Sequence, residues 1–348
     1  MSGEDGSPKM MKTIVYGKPN IQFKLKPIPI PSLHETLVRV FAAGLNPVDA
    51  KGVVGDKFPH TWTTLRYMSD RAIAGWTIGF EFSGQVVDCP SNKYQPGDEV
   101  YGSMPPLGGT LSEYICAPLD QIFRKPAKLT HEQAASLVLV GMTAIQALRP
   151  EFDKGCSSIL IVGASGGTGH VSVQVSRCLG ASMIVGLCSA RNTEFVKSCG
   201  ATHVVNYNSD DFLEKLHRLG PFDVIFDCVT SSDPQDYQFM YPKRLLPICT
   251  QRYLRLGGTS IEWWKAGCER IFGGNWFGKE KLFWIRFPNS SQDLKQLTEW
   301  SEQLRLVPKV STFIKFTPVD VQDAFDQINN RRVKGKLVVV IVQSNKII

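Results

Sequence analysis

The sequence predicts an α/β protein of two domains, one made of short strands and one in which strands alternate with helices. The chain has 348 residues, 43% of them hydrophobic, which exceeds the usual size of one domain and can fill sizeable cores. Short alternating patterns punctuated by proline and glycine occupy residues 13–130. Farther on, apolar runs alternate with helical patterns, which predicts a parallel sheet covered by helices on both faces.

The first region is predicted to be all-β. Residues 35–41 alternate between apolar and polar side chains, and residues 79–87 and 96–102 each join a strand to a glycine turn. Between residues 35–41 and residues 79–87 lies an irregular stretch, residues 52–77, which includes Tyr67. A long loop beside a cleft is the structure we expect there.

A buried helix is predicted to follow the β region. Residues 130–133 read Thr-His-Glu-Gln, a capping box, and residues 134–148 are apolar nearly all round. A domain boundary is therefore expected at this point of the chain.

The next stretch reads as strand, tight turn and helix. An apolar run, residues 159–162, precedes Gly166, Gly167 and Gly169. Glycine lets the backbone approach a ligand closely, and the free N–H groups of a helix start favour a pyrophosphate. Ala164 stands where G-x-G-x-x-G would begin, so a purely structural turn is the alternative. The predicted phosphate contacts are Ser165, Gly166, Gly167, Thr168 and Gly169.

Further strands and helices alternate after this turn. Predicted strands are residues 183–188, 203–206, 223–229, 253–256 and 282–287, and predicted helices are 193–199 and 210–219. An amphipathic helix around residues 294–304, ended by Pro308, a strand at 312–316, a helix at 321–328 and a buried strand at 336–342 complete the chain. The last elements are expected to return to the first domain.

Charge and cysteine usage narrow the classes of protein. Thirty-nine basic and 32 acidic residues give a net charge of +7, spread too evenly to predict nucleic-acid binding. Nine scattered cysteines predict reduced thiols. Residues 1–11 are predicted to be a disordered tail without signal-peptide character, and no run is long enough to span a membrane. We expect a cytoplasmic protein, with organellar targeting and peripheral membrane association as open alternatives.

Six motifs together resemble the medium-chain dehydrogenase/reductase superfamily, in its zinc-free quinone oxidoreductase branch. They are Gly44-Leu-Asn-Pro-Val-Asp49, Gly79-Phe-Glu-Phe-Ser-Gly84, Pro96-Gly-Asp-Glu-Val-Tyr-Gly102, Gly141-Met-Thr-Ala144, the turn at residues 166–169, and Lys334-Gly-Lys-Leu-Val-Val339. The resemblance implies a GroES-like domain, residues 12–132 and 308–348, interrupted by a Rossmann domain, residues 133–307. It also implies a nicotinamide in the cleft between them. Members of the family are commonly dimers or tetramers, and we expect a homodimer here.

The resemblance also bears on metal and substrate. Zinc-dependent members carry histidine where this chain has Phe80, and a ligand cysteine near Asn46, so no metal is expected. Hydride delivery to a conjugated acceptor is then the expected chemistry.

Particular residues are assigned by the same resemblance. Asn46 is expected to act in catalysis and to contact the cofactor or substrate near the nicotinamide, although composition alone favours a turn residue. Thr143 and Lys336 are expected to contact the cofactor, with a local backbone bond as the alternative for Thr143. Glu81 is expected to be structural. An aromatic and basic stretch is interpreted as core and rim of a dimer interface or cleft, or as a membrane or partner patch; its members are Trp263, Trp264, Trp276, Phe277, Trp284, Lys265, Lys279, Lys281 and Arg286.

The second strand of the Rossmann domain indicates NADPH. An NAD-specific site places an acidic residue at the end of this strand, where the chain has Leu187. Ser189 and Arg191 follow and suit a phosphate, and Tyr207 follows the next strand.

The expected function is NADPH-dependent reduction of quinones or conjugated enones and alkenals. One alternative is an NADPH-binding sensor or scaffold with little turnover. Another is an enoyl-thioester reductase, which needs a proton donor; here Phe58 stands where such enzymes typically have tyrosine, so Tyr67 would have to take that catalytic role.

Overall fold

A computed structural model gives the architecture for most of the chain. It describes residues 9–17, 20–51, 74–105, 108–229, 241–257, 260–272, 278–283, 285–287, 290–331 and 333–342. Tyr67 and Phe58, with the roles predicted for them, lie outside these ranges, as do residues 1–8 of the expected tail and Trp276, Phe277 and Trp284.

Strands and helices follow one another as expected for an α/β protein. The strands are β1 (Met10–Val15), β2 (Gln22–Pro27), β3 (Glu35–Gly44), β4 (Glu81–Asp88), β5 (Glu99–Ser103), β6 (Tyr114–Pro118), β7 (Ile122–Arg124), β8 (Ser158–Val162), β9 (Met183–Cys188), β10 (His203–Asn206), β11 (Phe222–Asp227), β12 (Cys249–Arg255), β13 (Glu280–Leu282), β14 (Val310–Lys315) and β15 (Lys336–Val340). The helices are α1 (Pro47–Lys51), α2 (His131–Phe152), α3 (Gly167–Cys178), α4 (Thr193–Ser198), α5 (Phe212–Leu219), α6 (Tyr241–Leu245), α7 (Ser260–Phe272), α8 (Ser291–Glu302) and α9 (Pro318–Asn329).

The chain divides into two compact units, residues 1–139 with 287–348, and residues 140–286. The return to the first unit therefore falls at Phe287, earlier than the expected residue 308. Side-chain contacts explain the difference. The Phe287 ring stacks on Phe80 at 5.9 Å between centroids, and the Tyr101 hydroxyl donates to the Leu294 carbonyl of α8 at 2.7 Å. The helix at residues 291–302 thus packs with the β unit.

The first unit is a β domain whose last strand pairs with its third strand. In the described ranges its large sheet has the order β14-β15-β3-β4-β5-β7, with β6 also paired to β3, while β1 and β2 form a separate antiparallel ribbon. The C-terminal β15 lies antiparallel to β3. Residues far apart in sequence share one core, including Ile14, Leu45, Phe325 and Leu337. This is the expected GroES-like domain.

The second unit contains the predicted parallel sheet. Its described strands have the order β10-β9-β8-β11-β12-β13, and each neighbouring pair is parallel. The order reverses between β8 and β11, which is the point where dinucleotides bind in such sheets. Residues 159–162 of β8 are buried, as expected for a central strand. The Rossmann arrangement is confirmed.

Several differences from the sequence interpretation are local, among them the following three. Strand β1 begins at Met10, inside the expected tail, because its backbone pairs with β2. Strand β13 spans Glu280–Leu282 and so shares only Leu282 with the strand predicted at residues 282–287. Helix α7 was not predicted, because a glycine and adjacent tryptophans obscure its periodicity.

Candidate active site and cofactor site

The first candidate residues lie at the start of the short helix α1. Asn46 precedes α1, and its backbone N–H donates to Asp49 Oδ2 at 2.7 Å, while the Asp49 N–H donates to the Asn46 carbonyl at 3.0 Å. This is a carboxylate satisfying a free N–H at a helix start. The Asn-Pro-Val-Asp sequence therefore fixes the backbone from which the Asn46 side chain projects.

Lys336 lies at the centre of a buried polar cluster. Its ammonium donates to the Leu45 carbonyl at 2.8 Å, to Asn46 Oδ1 at 2.6 Å and to Glu81 Oε1 at 2.7 Å. The Lys336 side chain is 3% exposed and that of Glu81 is fully buried. Since an ammonium has three N–H donors, every donor of Lys336 has a protein partner.

Glu81 connects this cluster to two other elements. Its Oε1 also accepts from Asn46 Nδ2 at 2.8 Å, and its Oε2 accepts from the backbone N–H of Leu139 in α2 at 2.5 Å. A Cβ at Gly44 would stand 2.3 Å from Glu81 Oε1, so only glycine permits this approach. We call Asn46, Asp49, Glu81 and Lys336 the polar cluster.

Asp49 is a buried carboxyl group of the polar cluster with a shifted pKa. Burial raises the pKa of Asp49 to about 7, while the Asn46 amide and the Lys336 charge oppose that shift. Its Oδ1 has no hydrogen-bond partner among the described residues. The cluster thus combines two carboxyl groups with one ammonium.

The polar cluster refines the expectations for three residues. Both ends of the Asn46 amide are hydrogen-bonded, which leaves one Nδ2 proton without a partner in the described part of the chain. The expected cofactor contact of Lys336 would require one of its three bonds to be exchanged. Glu81, expected to be structural, bonds directly to Asn46 and Lys336; the sequence signal for it was its place in the Gly-Phe-Glu motif.

A second buried network resembles a hydrolytic triad in composition. Ser83 Oγ lies 2.9 Å from His131 Nδ1, and His131 Nε2 lies 3.2 Å from Glu99 Oε1. However, Ser83 is fully buried, and its hydroxyl also bonds to the Val100 carbonyl at 3.1 Å. A nucleophile must reach its substrate, so this network is structural.

The glycine turn of the second unit has the geometry of a phosphate site. Gly163 follows β8 with φ +77°, and Gly166 precedes α3. A Cβ at Gly169 would stand 2.2 Å from the Gly163 carbonyl oxygen, so glycine is required for the helix start to lie against the strand end. Gly167, Thr168 and Gly169 form the first turn of α3, where backbone N–H groups are free to bind an anion.

The residues expected to bind the phosphate that distinguishes NADPH from NADH lie beside this turn. Asn192 Nδ2 donates to Ser165 Oγ at 2.9 Å, which joins the segment after β9 to the glycine turn. Ser189 is nearly buried at the start of that segment, and Arg191 is exposed within it. The Tyr207 N–H donates to the Cys188 carbonyl at 3.1 Å. Ser165, Ser189 and Tyr207 therefore lie around the carboxyl ends of β8, β9 and β10.

Thr143, the remaining expected cofactor contact, lies on a helix that both units share. It is 8% exposed on α2, in the part of that helix that belongs to the second unit.

No group of three or more His, Cys, Asp or Glu side chains close enough to hold a metal ion occurs among the described residues. Within the same ranges, no helix is long and apolar enough to cross a membrane.

Fold and site together define a class. A β domain closed by its own C-terminal strand, joined to a parallel sheet with a glycine turn at its topological switch point, is the architecture of a nicotinamide-dependent dehydrogenase or reductase. The turn fits the dinucleotide because Gly169 allows the close approach of helix and strand.

Comparison with known proteins agrees. Residues 32–127 match the alcohol dehydrogenase GroES-like domain, and residues 199–339 match a family described as zinc-binding dehydrogenase. The quinone oxidoreductase from Coxiella burnetii superposes with a TM-score of 0.77 at 25% identity, over 96% of this chain and 100% of that one. The chain belongs to the medium-chain dehydrogenase/reductase superfamily.

Two of the relatives illustrate the activities that are described for similar proteins. The chain is 37% identical over 235 residues to human NAD(P)H oxidoreductase RTN4IP1, mitochondrial; the match spans 62% of this chain and 58% of that protein. It is 28% identical over 326 residues to the trans-enoyl reductase pgmF of Aspergillus terreus, covering 88% of this chain and 86% of that protein. Both relatives are thus described as oxidoreductases, and the human one is named for a nicotinamide cofactor.

Proposed function

We propose that this chain is a zinc-independent, NADPH-dependent oxidoreductase that reduces quinones or conjugated enones and alkenals. The observation that carries the proposal is the polar cluster, in which the Lys336 ammonium occupies the space between Asn46 and Glu81. The resemblance to a quinone oxidoreductase structure supports the same class of acceptor.

The side chains of the first unit support the proposal that the chain works without zinc. Phe80, next to Glu81, has no lone pair for a metal, and Glu81 is already neutralised by the Lys336 ammonium at 2.7 Å. A dication at this place would have to displace that cation. The match to a family described as zinc-binding dehydrogenase covers residues 199–339 and so does not include this cluster, apart from Lys336.

In the proposed reaction the chain's own residues orient the reacting groups and neutralise the developing charge. The cofactor, when bound, supplies the hydride. Lys336 and Glu81 fix the Asn46 amide, and its remaining Nδ2 proton is available to donate to an oxygen on which negative charge develops. A reduced quinone is stabilised by aromatisation and takes its protons from water, so this reaction needs little acid catalysis from the protein.

NADPH preference is proposed from the segment after β9. Leu187 is buried and no acidic side chain ends this strand, while Arg191 is exposed beside Ser189 and has no ion-pair partner among the described residues. We predict that Arg191→Ala weakens NADPH binding by about tenfold, as loss of one charge-assisted contact does, and leaves NADH binding unchanged. Titration calorimetry measures both affinities. Exposed Arg218→Ala is the control, and equal wild-type affinity for the two cofactors would contradict the prediction.

The substrate is tested with a panel of quinones, alkenals and enoyl thioesters. We expect kcat/KM for NADPH oxidation to be highest with quinones and strongly activated enones and low with enoyl thioesters. Asn46→Ala should lower kcat more than it raises KM, because the proposed bond forms as charge develops. Asn192→Ala, which alters a residue of the other unit, serves as a comparison in which cofactor KM is the affected parameter.

Two alternatives give different results in the same panel. Tight NADPH binding with no turnover of any acceptor indicates the sensor or scaffold. Efficient thioester reduction indicates an enoyl reductase, as the relative from Aspergillus terreus is named. In that case Tyr67→Phe decides whether Tyr67 is the proton donor, and activity that survives this change excludes it.

Location and assembly remain proposals. The human relative is described as mitochondrial, which favours the organellar alternative over the cytoplasmic one. Imaging of a tagged full-length chain tests the location. Light scattering on the purified protein tests the expected homodimer.

A further inference from the structure

A buried carboxyl group ends the strand that lies next to β8. Asp227 is the last residue of β11 and is fully buried. Its Oδ1 accepts from the backbone N–H of Val229 at 2.9 Å, and its Oδ2 accepts from the Tyr253 hydroxyl at 2.7 Å. Burying a carboxyl group is costly unless its oxygens are bonded, and here each oxygen has a donor. Asp227 therefore fixes the turn that follows β11.

Tyr253 reaches this carboxyl group from the neighbouring strand β12. It is fully buried and lies opposite Ile225, two residues before Asp227. Side chains two residues apart in a strand lie on the same face of the sheet, so the Tyr253 ring extends along that face to Asp227. Burial, together with the charge of Asp227, raises the pKa of Tyr253 well above its usual value. The Tyr253 hydroxyl therefore keeps its proton and remains a donor.

The turn after β11 packs directly on the glycine turn. Val229 is partly buried against the apolar core of the second unit. A Cβ at Gly163 would stand 2.2 Å from Val229 Cγ1, so the Val229 side chain occupies the space that a larger residue at position 163 would need. The Cys228 N–H donates to the Val162 carbonyl at 3.1 Å, which ties the same turn to the end of β8. Residues 227–229 therefore form one side of the switch point between β8 and β11.

The order of the strands indicates which end of a dinucleotide this turn would meet. The residues proposed to contact the phosphate on the adenosine ribose follow β9 and β10, on one side of β8; they are Ser189, Arg191 and Tyr207. The glycine turn proposed for the pyrophosphate follows β8 itself, and β11 lies on the other side of β8. A dinucleotide that crosses the carboxyl ends of these strands would extend its nicotinamide end toward the turn after β11.

We propose that Asp227 and Tyr253 are positioning residues for the nicotinamide end of the cofactor, because they hold Val229 at the switch point. Neither side chain has to touch the cofactor, since both act through the turn that Asp227 fixes. The inference rests on the proposed binding of NADPH and adds to it the part of the chain that orients one half of that molecule. The alternative is a bond that only stabilises the strand end, which predicts lower stability with unchanged affinity.

Titration calorimetry with two ligands tests the proposal. One is NADPH, and the other is ADP phosphorylated on its adenosine ribose, which is NADPH without its nicotinamide riboside half. Asp227→Ala removes both bonds, and we expect it to weaken NADPH binding by about tenfold and to change binding of the shorter ligand little. Tyr253→Phe removes one bond and should weaken NADPH binding less. Asp227→Asn keeps an oxygen for the Val229 N–H and should retain most of the affinity.

A matched control comes from the first unit. Tyr94→Phe removes another buried tyrosine hydroxyl, one that donates to the Ile122 carbonyl at 3.3 Å, and should leave both affinities unchanged. Urea unfolding of each variant separates stability from binding. If Asp227→Ala does not fold, Tyr253→Phe and Asp227→Asn decide.

The outcomes distinguish this inference from the proposed function. Lower stability of the Asp227 and Tyr253 variants with unchanged NADPH affinity overturns the inference and leaves NADPH binding intact. An equal loss of affinity for the two ligands also overturns it, because the turn would then not act on the nicotinamide half. A wild-type chain that does not bind NADPH overturns both.

Discussion

At the scale of single residues, burial shifts the pKa of the His131 imidazole. His131 is 9% exposed, and burial lowers its pKa, while Glu99, half exposed at 3.2 Å, opposes that shift. The imidazole is therefore held neutral between Ser83 and Glu99.

This neutrality predicts a pH dependence of stability. In the unfolded chain histidine binds a proton near pH 6.5, whereas the folded His131 does so only at lower pH. The unfolded state therefore binds more protons below about pH 6.5, and the contribution of His131, full above that value, is lost as the pH falls. Urea unfolding at pH 7 and pH 5 should show a smaller loss of stability on acidification in His131→Gln than in the wild type. Exposed His203→Gln is the control, and an unchanged loss in His131→Gln contradicts the prediction.

At the scale of elements, the glycine turn shows how closely a strand and a helix approach at the proposed cofactor site. Strand β8 and helix α3 approach so closely that no side chain fits at Gly169. The free N–H groups at the helix start can then face a pyrophosphate.

Gly169→Ala tests this approach. The added Cβ would stand 2.2 Å from the Gly163 carbonyl oxygen, which belongs to backbone and cannot turn away. The helix start must shift, so we expect NADPH affinity to fall by about tenfold or more and the Tm to fall as well. Gly267→Ala in α7, where the new Cβ would have no described atom within 4 Å apart from its chain neighbours and the backbone of its own helix, should be neutral or stabilising by about 1 kcal/mol. Unchanged NADPH binding in Gly169→Ala would mean that the turn does not hold the cofactor.

At the scale of the whole molecule, the polar cluster joins parts of the chain that are far apart in sequence. Asn46 follows β3, Glu81 begins β4 and Lys336 begins β15, so one buried ion pair fixes the returning C-terminal strand to the N-terminal sheet.

Removing one member of this pair should destabilise the first unit strongly. Lys336→Met leaves Glu81 buried without its cation, at a cost of about 3–5 kcal/mol in the free energy of unfolding. Lys336→Met combined with Glu81→Gln should cost less than the sum of the two single changes. Lys197→Met, which removes an exposed pair with Glu194, should have little effect. Additive costs in denaturant unfolding would show that the two side chains are not coupled.

The sequence by itself determined the features that depend on local order. Apolar runs predicted β8, β9 and β10 with few errors in their bounds, and three glycines predicted the turn before α3. Motif order predicted the two-domain architecture and its superfamily. These predictions succeed because strand burial and turn type depend on residues that are neighbours in the sequence.

Tertiary structure alone decided the rest. The sequence could not show that Lys336 uses all three of its N–H donors on Leu45, Asn46 and Glu81, since these residues lie up to 291 positions apart. Nor could it show that α8 packs with the first unit, or that Met10 and Leu25 on the β1–β2 ribbon are exposed. Burial and charge pairing arise from contacts between distant segments, and one-dimensional periodicity carries no information about which segments meet.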